Sequence, residues 1–182
     1  MAKVPVAGRV KTRLGREIGM TRAAWWFRHN LAQTVRACQS RRWETILAVA
    51  PDRDLASPAL PPLPRLAQGP GDLGARMARV FRAFPASSVL IVGSDIPGLS
   101  APLIAAAFRR LSGSDAVIGP APDGGYWAIG RRGGVRIGAG FLRGVRWSGE
   151  HALADTLATM PGLRLGLLPE MADVDTAADL SR

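Results

Sequence analysis

The sequence is poor in cysteine and contains no long hydrophobic run. Its single cysteine, Cys38, excludes an internal disulfide and a cysteine-based metal cluster. No apolar run approaches the length of a membrane span, and the first residues lack the charged-then-apolar order of a signal peptide. We therefore expect a cytoplasmic protein without a membrane partner. The 182 residues, 47% hydrophobic and 21% charged, predict one globular domain over residues 1–182.

Aromatic residues and lysines are also scarce, which affects how the high positive charge is interpreted. The formal net charge of +10 is typical of nucleic-acid-binding proteins. However, aromatics make up only 6% of the chain, the arginines are scattered, and no helix-turn-helix, zinc-finger or RNP pattern occurs. Nucleic acid is therefore the less favoured partner, since a small polyanion such as a nucleotide benefits from the same positive field. The only lysines are Lys3 and Lys11, which favours a specific use of a compact charge near the N-terminus.

A buried strand and the turn after it predict the most informative position in the chain. The four apolar residues 89–92 are typical of a strand covered on both faces, as in a parallel sheet. The strand ends at Gly93-Ser94-Asp95, and α/β sheets place their ligands beyond the carboxyl ends of their strands. A carboxylate there suits a divalent cation, which in turn binds phosphates. The alternative is that Asp95 only closes a turn or caps the next helix.

The beginning of the chain predicts a basic loop. Pro5 and Gly8 interrupt regular structure, and Arg9, Lys11 and Arg13 supply three cations. The glycine and lysine spacing does not match a Walker A loop. Backbone N–H groups and cations in such a loop suit a phosphate, and an ordinary solvated loop is the alternative.

Two glycine-rich turns occur further along the chain. Asp72 precedes a predicted helix and either caps it or faces a ligand. Asp123-Gly124-Gly125 is followed by Tyr126 and a tryptophan, and the lack of side chains at the glycines lets backbone approach a ligand. The aromatic residues then line an acceptor pocket, or the segment is only a tight hairpin with two packed rings. Residues 131–146 are rich in glycine and arginine and predict a loop.

Hydrophobic spacing predicts the remaining elements. Helices are expected over about 21–41, 73–84 and 100–111, with another ending near residue 160. Strands are expected at 45–50, 65–67, 116–119 and 163–168. The acidic segment 173–176 is expected at the start of a final helix, where carboxylates suit the helix dipole.

The motifs, taken in order, resemble those of a known family. The blocks are Ala2–Leu14, Gly71–Met77, Gly93–Leu99, Gly119–Tyr126, Trp147-Ser148 and Asp173–Thr176. The chain resembles the bacterial GT-A-type glycosyltransferases associated with radical-SAM enzymes and arsenosugar synthesis, within the nucleotide-diphospho-sugar transferase superfamily. It is more distantly similar to nucleotidylyltransferases of the phospholactate guanylyltransferase and molybdenum-cofactor type.

This resemblance implies a fold and a set of site residues. The fold is a Rossmann-like GT-A three-layer α/β/α sandwich with a mostly parallel sheet, in a single domain over 1–182. The implied cofactor is Mg²⁺ or Mn²⁺, held by Asp95 and Asp175. The implied catalytic residues are Lys11, Arg13 and Asp123, of which Asp123 is the best-placed candidate for a general base. The implied nucleotide-binding and acceptor-facing positions are Lys3, Pro5, Gly8, Lys11, Arg13, Asp72, Ser94, Gly124, Gly125, Tyr126 and Trp147.

The implied activity is transfer of a sugar from a nucleoside diphosphate sugar to a small acceptor. The alternative enzyme is a nucleotidylyltransferase that releases pyrophosphate, and an inactive homologue is a third possibility. Two carboxylates about 4 Å apart repel by about 4 kcal/mol at an effective dielectric of 20, and a divalent cation removes that penalty. The first strand of such a fold usually has about five or six residues. Only Met1 and Ala2 precede Lys3, so we expect a truncated first strand. The sugar, base, acceptor and oligomeric state are left open.

Overall fold

The computed structural model describes residues 1–181, and internal packing divides the chain into two units. Unit 1 comprises Met1–Ala67, Gly93–Ala101 and the chain from Asp173 onward, and unit 2 comprises Gln68–Val92 and Pro102–Ala172. Both units combine helices with parallel strand pairs, so the predicted α/β class is confirmed. The single domain over 1–182 stays a prediction. Within the described chain, no helix is both long enough and apolar enough to cross a membrane.

Unit 1 is built from two helices and a short parallel strand pair. The helices are α1 (Thr12–Ile18) and α2 (Met20–Cys38), and the strands are β1 (Leu47–Val49) and β2 (Arg65–Ala67), with short 3₁₀ turns at Asp52–Asp54 and Ala178–Ser181. Strand β1 pairs in parallel with β2. Ala2 adds a single parallel bridge to Val49, at the place where the truncated first strand was expected.

The core of unit 1 lies under the apolar face of α2. The predicted spacing is confirmed, because Phe27, Leu31 and Val35 are buried against β1 and against Val4 and Val10 of the basic loop. A smaller cluster joins Leu14 of α1, Ala23 of α2 and Val174 near the chain end. These two clusters fix the basic loop and the acidic segment 173–176 within one unit.

Unit 2 contains a mixed sheet with helices. Its strands are β3 (Val89–Val92), β4 (Ala116–Pro120), β5 (Tyr126–Arg131) and β6 (Leu165–Leu167), and its helices are α3 (Leu73–Ala83), α4 (Ala101–Ser112, which starts at the unit boundary) and α5 (Ala152–Ala158). The strand order is β3-β5-β4-β6. Strand β4 is parallel to β6, whereas β5 is antiparallel to both of its neighbours. The Asp123 turn therefore connects a β4–β5 hairpin.

Arg131 departs from the predicted loop over 131–146, because it ends β5 and is only 3% exposed. Its guanidinium donates to backbone carbonyls that include those of Phe84 at 2.7 Å, Pro85 at 3.0 Å and Val135 at 3.1 Å. Burial lowers its pKa. The guanidinium thus supplies donors to backbone carbonyls of several segments, which in turn satisfy its own N–H groups.

Asp115 provides a pH-dependent contact in unit 2. The backbone N–H of Arg164, the Arg164 side chain and the Arg132 guanidinium all donate to its carboxylate and lower its pKa to about 2. A carboxyl whose pKa is depressed in the folded state stabilises that state above its unfolded pKa, and the stabilisation is lost as the pH falls. We expect Asp115→Asn to lower the melting temperature near neutral pH. The difference from the natural protein should then shrink as the pH falls from about 4 towards about 2, which melts across this range will measure. A difference that does not change with pH would show that charge plays no part.

Candidate functional site

An ammonium group surrounded by carboxylates forms the candidate site of unit 1. The Lys11 Nζ lies 2.6 Å from Asp95 Oδ2, 2.8 Å from Asp175 Oδ1 and 3.7 Å from Asp173 Oδ2. Arg13 contacts the other oxygen of Asp175, at 3.2 Å. The structure thus brings together Lys11, Arg13, Asp95 and Asp175, which come from the two ends and the middle of the chain.

Local structure explains how Lys11 reaches this position. It is the N-cap residue of α1 and has a left-handed backbone, with φ 45° and ψ 48°. For a residue with a side chain this conformation costs about 1–2 kcal/mol. The ion pairs to the carboxylates offset that cost, because the Lys11 side chain is only 6% exposed and is held on several sides.

The carboxylates are positioned by buried neighbours. Asn30 of α2 donates from Nδ2 to the Ser94 carbonyl at 3.2 Å, which holds the turn that carries Asp95. Val174 is buried with α1 and α2, so the residues on either side of it in the chain lie close to Lys11. The N–H groups of Asp175 and Thr176 donate to the carboxylate of Asp179, which lies in the short 3₁₀ turn that follows them.

The electrostatics of the cluster keep Lys11 charged. Burial lowers the pKa of Lys11, whereas Asp95 and Asp175 raise it, and the net result is a pKa above its ordinary value. Three carboxylates and the side-chain cations Lys11 and Arg13 meet in this cluster, and the N-terminal amino group of Met1 interacts electrostatically with Asp95 as well.

The donor chemistry fits a hard divalent cation. Carboxylate oxygens are the ligands that Mg²⁺ and Mn²⁺ prefer. Oxygens of Asp95 and Asp175 already meet on one positive atom, the Lys11 Nζ, which acts as a stand-in cation. Among residues 1–181, no group of three or more acidic, histidine or cysteine side chains is arranged to coordinate a metal directly. The metal role of Asp95 and Asp175 therefore stays a prediction.

The other predicted residues of unit 1 are placed differently. Lys3 is exposed, and within residues 1–181 it forms no ion pair. Pro5 is buried, and Gly8 lies in an exposed turn with φ +76°, a conformation that suits glycine. Ser94 contributes its carbonyl to Asn30, as described above. Their roles toward a nucleotide stay predictions.

In unit 2, the predicted acidic residues bind backbone. Asp72 caps α3, since its Oδ1 accepts from the N–H of Ala75 at 2.8 Å. Asp123 Oδ1 accepts from the N–H of Gly125 at 2.9 Å and closes the hairpin turn. Gly124 has φ +81°, and a Cβ there would lie 2.3 Å from the Glu150 carbonyl oxygen. The structural alternatives given for both turns are thus confirmed, and the ligand roles of these residues stay predictions.

Two aromatic residues of unit 2 form a contact near this turn. Tyr126 and Trp147 meet edge to face, with ring centroids 6.4 Å apart. Burial raises the pKa of Tyr126, whose hydroxyl accepts from Thr156 Oγ1 at 3.3 Å. Trp147 Nε1 is buried, and within residues 1–181 it has no hydrogen-bond partner. The two rings therefore pack together beside a buried donor that has no partner in the described part of the chain.

Asp72 allows its structural role to be separated from a ligand role. Because the carboxylate caps α3, we expect Asp72→Ala to lower the free energy of unfolding by about 1 kcal/mol, as caps typically do. Asparagine is an equally good cap, so Asp72→Asn should retain stability in a denaturant titration. Any loss of nucleotide affinity in Asp72→Asn then reports on the charge. Equal stability of the natural protein and Asp72→Ala would contradict the capping role.

Sequence reasoning missed two residues of the unit 1 site. Asn30 is 5% exposed on the buried face of α2, and an amide between Phe27 and Leu31 was the available signal. Asp173 approaches Lys11, and its alternation with Asp175 across a single valine was the signal there. In both cases a polar residue adjoins buried apolar ones.

Comparisons with known proteins agree with this architecture. A crystal structure of a "putative nucleotide-diphospho-sugar transferase" from Desulfovibrio desulfuricans G20 is 33% identical in sequence and superposes with a TM-score of 0.86. The match covers 96% of this chain and 80% of that one and confirms the predicted fold class. A search of curated proteins finds no match. The family model described as "Uncharacterized protein conserved in bacteria (DUF2064)" matches residues 33–149, which include Asp72, Asp95 and Asp123. The chain therefore belongs to the bacterial DUF2064 family.

Proposed function

We propose that the protein is a transferase acting on a nucleoside diphosphate sugar, with Mg²⁺ or Mn²⁺ as cofactor and a small molecule as acceptor. The observation that carries this proposal is the meeting of Lys11, Asp95 and Asp175 at one point. The similarity in sequence and fold to a protein described as a nucleotide-diphospho-sugar transferase supports it. The association with radical-SAM enzymes and arsenosugar synthesis stays a prediction from the resemblance.

In this proposal, Asp95 and Asp175 hold the cation, which neutralises charge on the leaving diphosphate when bound. Lys11 and Arg13 contact the same diphosphate from the protein side. Both residues are cations adjacent to Asp175, so they lie beside the proposed cation site. Their contribution to the rate is electrostatic stabilisation of the developing negative charge.

The residues of unit 2 have separate roles in the proposal. Asp123 lies exposed on its turn, where a carboxylate can accept a proton from an acceptor hydroxyl. Tyr126 and Trp147 provide an aromatic wall for the acceptor. Burial raises the pKa of Tyr126 further above neutral pH, and its protonated hydroxyl is a neutral hydrogen-bonding group.

A nucleotidylyltransferase is the second candidate function. The observation that favours it is the second carboxylate, because Asp175 matches the position that the related nucleotidylyltransferases use, and it lies beside Asp95 and Lys11. In that reaction a phosphorylated acceptor attacks the α-phosphate of a nucleoside triphosphate, and pyrophosphate leaves. The same cations would then stabilise pyrophosphate.

The experiment that separates these functions uses nucleotides labelled in the sugar and in the phosphates. The protein is first titrated with nucleoside diphosphates of each base in the presence of Mn²⁺, and the base that binds is carried forward. Incubation with acceptor mixtures then gives either a free nucleoside diphosphate and a labelled glycosylated product, or labelled pyrophosphate from the triphosphate. If no nucleotide binds in the presence of Mn²⁺, both enzyme proposals fail.

Nucleic-acid binding makes a different prediction that the same preparation can test. A polyanion partner recognised by the scattered arginines would give an affinity that falls steeply with salt concentration. We expect weak binding of DNA and RNA, with a slope that indicates few phosphate contacts. Tight binding with a steep slope would instead support the nucleic-acid alternative.

A further inference from the structure

We propose that Lys11 is a placeholder for the divalent cation. In the nucleotide-free protein its ammonium occupies the place between Asp95 and Asp175, so that a free divalent cation is largely excluded until a diphosphate arrives. This inference rests on the proposed function and adds to it a control over the order of binding. Lys11 thereby makes binding of the metal depend on binding of the nucleotide.

The Lys11 ammonium lies between the two carboxylates that would hold the metal. Its nitrogen lies 2.6 Å from an oxygen of Asp95 and 2.8 Å from an oxygen of Asp175. A cation that joined the same two oxygens would have to lie in the space next to the ammonium, where the two positive charges repel. A buried site screens that repulsion poorly. Metal and ammonium therefore compete for the same place.

Both carboxylate oxygens of Asp175 already contact a cation. Its Oδ1 contacts Lys11, and its Oδ2 contacts Arg13 at 3.2 Å. A metal that binds Asp175 must displace one of the two cations. Arg13 does not contact Asp95 and is 65% exposed, whereas Lys11 contacts both carboxylates and is buried. Lys11 is therefore the cation that has to move when a metal joins the two carboxylates.

Once a metal displaces it, the Lys11 ammonium needs a new anionic partner. Lysine carries a compact charge on a flexible four-carbon stem, so the head can move while the backbone stays at the start of α1. A metal that binds alone removes the carboxylate partners of Lys11 and provides no new anionic partner for its ammonium. A nucleoside diphosphate offers new anionic oxygens to the displaced ammonium. Metal and diphosphate should therefore bind with positive coupling, and this coupling is reciprocal.

The test measures Mn²⁺ binding in the absence of nucleotide, with free Mn²⁺ followed by electron paramagnetic resonance. The variants are Lys11→Met, which vacates the place between the carboxylates, and Arg13→Met. Arg13→Met is the matched control, because it removes the same charge from the same carboxylate without vacating that place. We expect Lys11→Met to bind Mn²⁺ at least about tenfold more tightly than the natural protein, since the competing state is removed. Arg13→Met should stay within about threefold of the natural protein.

The outcomes separate this inference from the proposed function. Equal Mn²⁺ affinity in Lys11→Met and Arg13→Met would overturn the placeholder role, and so would a failure of both Lys11→Met and the natural protein to bind Mn²⁺. Tight Mn²⁺ binding by Lys11→Met with no nucleotide binding to any variant would support the placeholder and reject the nucleotide-dependent function. Circular dichroism of each variant verifies that it is folded.

A second measurement needs no variant and uses the scarcity of lysine. With only Lys3 and Lys11 in the sequence, protein labelled with ¹³C at lysine Cε gives two lysine signals. We expect Mg²⁺, at concentrations high enough to overcome the competition by the ammonium, to shift the signal of Lys11 in step with metal binding, while the signal of the exposed Lys3 stays in place. Metal binding that leaves the Lys11 signal unmoved would overturn the proposal.

Discussion

Replacing Asp95 by asparagine is expected to lower the Mn²⁺-dependent affinity for a nucleoside diphosphate by about 100-fold, the upper end of the effects seen when a metal site loses a supporting group. The amide keeps the size of the side chain but removes the charge that would hold the cation. It also leaves Lys11 paired with Asp175 at 2.8 Å and Asp173 at 3.7 Å. Isothermal titration with Mn²⁺ present measures the affinity directly.

A charge-matched control for this experiment is Glu44→Gln, which neutralises an exposed carboxylate elsewhere in unit 1. Its affinity should stay within about threefold of that of the natural protein. If Asp95→Asn behaved in the same way as Glu44→Gln, Asp95 would have only a turn-closing role. In that case the metal-dependent proposal would be wrong.

Replacing Arg131 by methionine is expected to be the most destabilising single change, by about 3 kcal/mol or more. The guanidinium donates to carbonyls of the segments around Phe84 and Ser87 and of the loop around Val135, and methionine leaves all of them without that donor. The contact of the guanidinium with the Phe81 ring is lost as well. Denaturant titration of the two proteins gives the difference in the free energy of unfolding.

Two further variants test whether the lost hydrogen bonds of Arg131 cause the destabilisation. Arg131→Lys keeps the charge but has fewer donors and no planar fork, so it should recover only part of the loss. Arg136→Met removes an exposed arginine from the following loop and should change stability by less than about 0.5 kcal/mol. Similar stability of Arg131→Met and Arg136→Met would contradict the structural role of the buried guanidinium.

The parts of the fold that follow from short-range patterns could be predicted from the sequence. The spacing of Phe27, Leu31 and Val35 predicts the buried face of α2, and it is the face that packs on β1. The apolar run 89–92 predicts β3, but the expected parallel pairing and burial on both faces were wrong, because β3 pairs antiparallel with β5 and only Ile91 of the four residues is buried. Asp72 three residues before the N–H of Ala75 predicts its cap. In each case the partners lie within one turn of a helix or one run of a strand.

Other features depend on contacts between distant residues, and periodicity does not reveal them. Arg131 was assigned to a loop because glycines and arginines surround it, yet its acceptors include carbonyls 44 to 50 residues earlier in the chain. Asn30 was overlooked because its partner, the Ser94 carbonyl, lies 64 residues away. The reversal of β5 between β3 and β4 is likewise a property of pairing between strands rather than of its own sequence.

The candidate site could be predicted from the sequence only in part. The rule for strand ends placed Asp95, and the resemblance placed Asp175 and Lys11, but no local pattern shows that the three meet. The packing of Val174 against Leu14 and Ala23 brings them together. The same packing also brings in Asp173, which motif matching had not assigned to the site.

The most direct test of the central claim is a crystal of the protein soaked with Mn²⁺ and the nucleoside diphosphate that binds it, with data collected for anomalous scattering. We predict an anomalous peak within coordination distance of carboxylate oxygens of both Asp95 and Asp175, the ligands that such hard cations prefer. We also predict that the Lys11 ammonium has moved onto the diphosphate. A peak elsewhere, or Lys11 still paired with both carboxylates while nucleotide is bound, would contradict that claim.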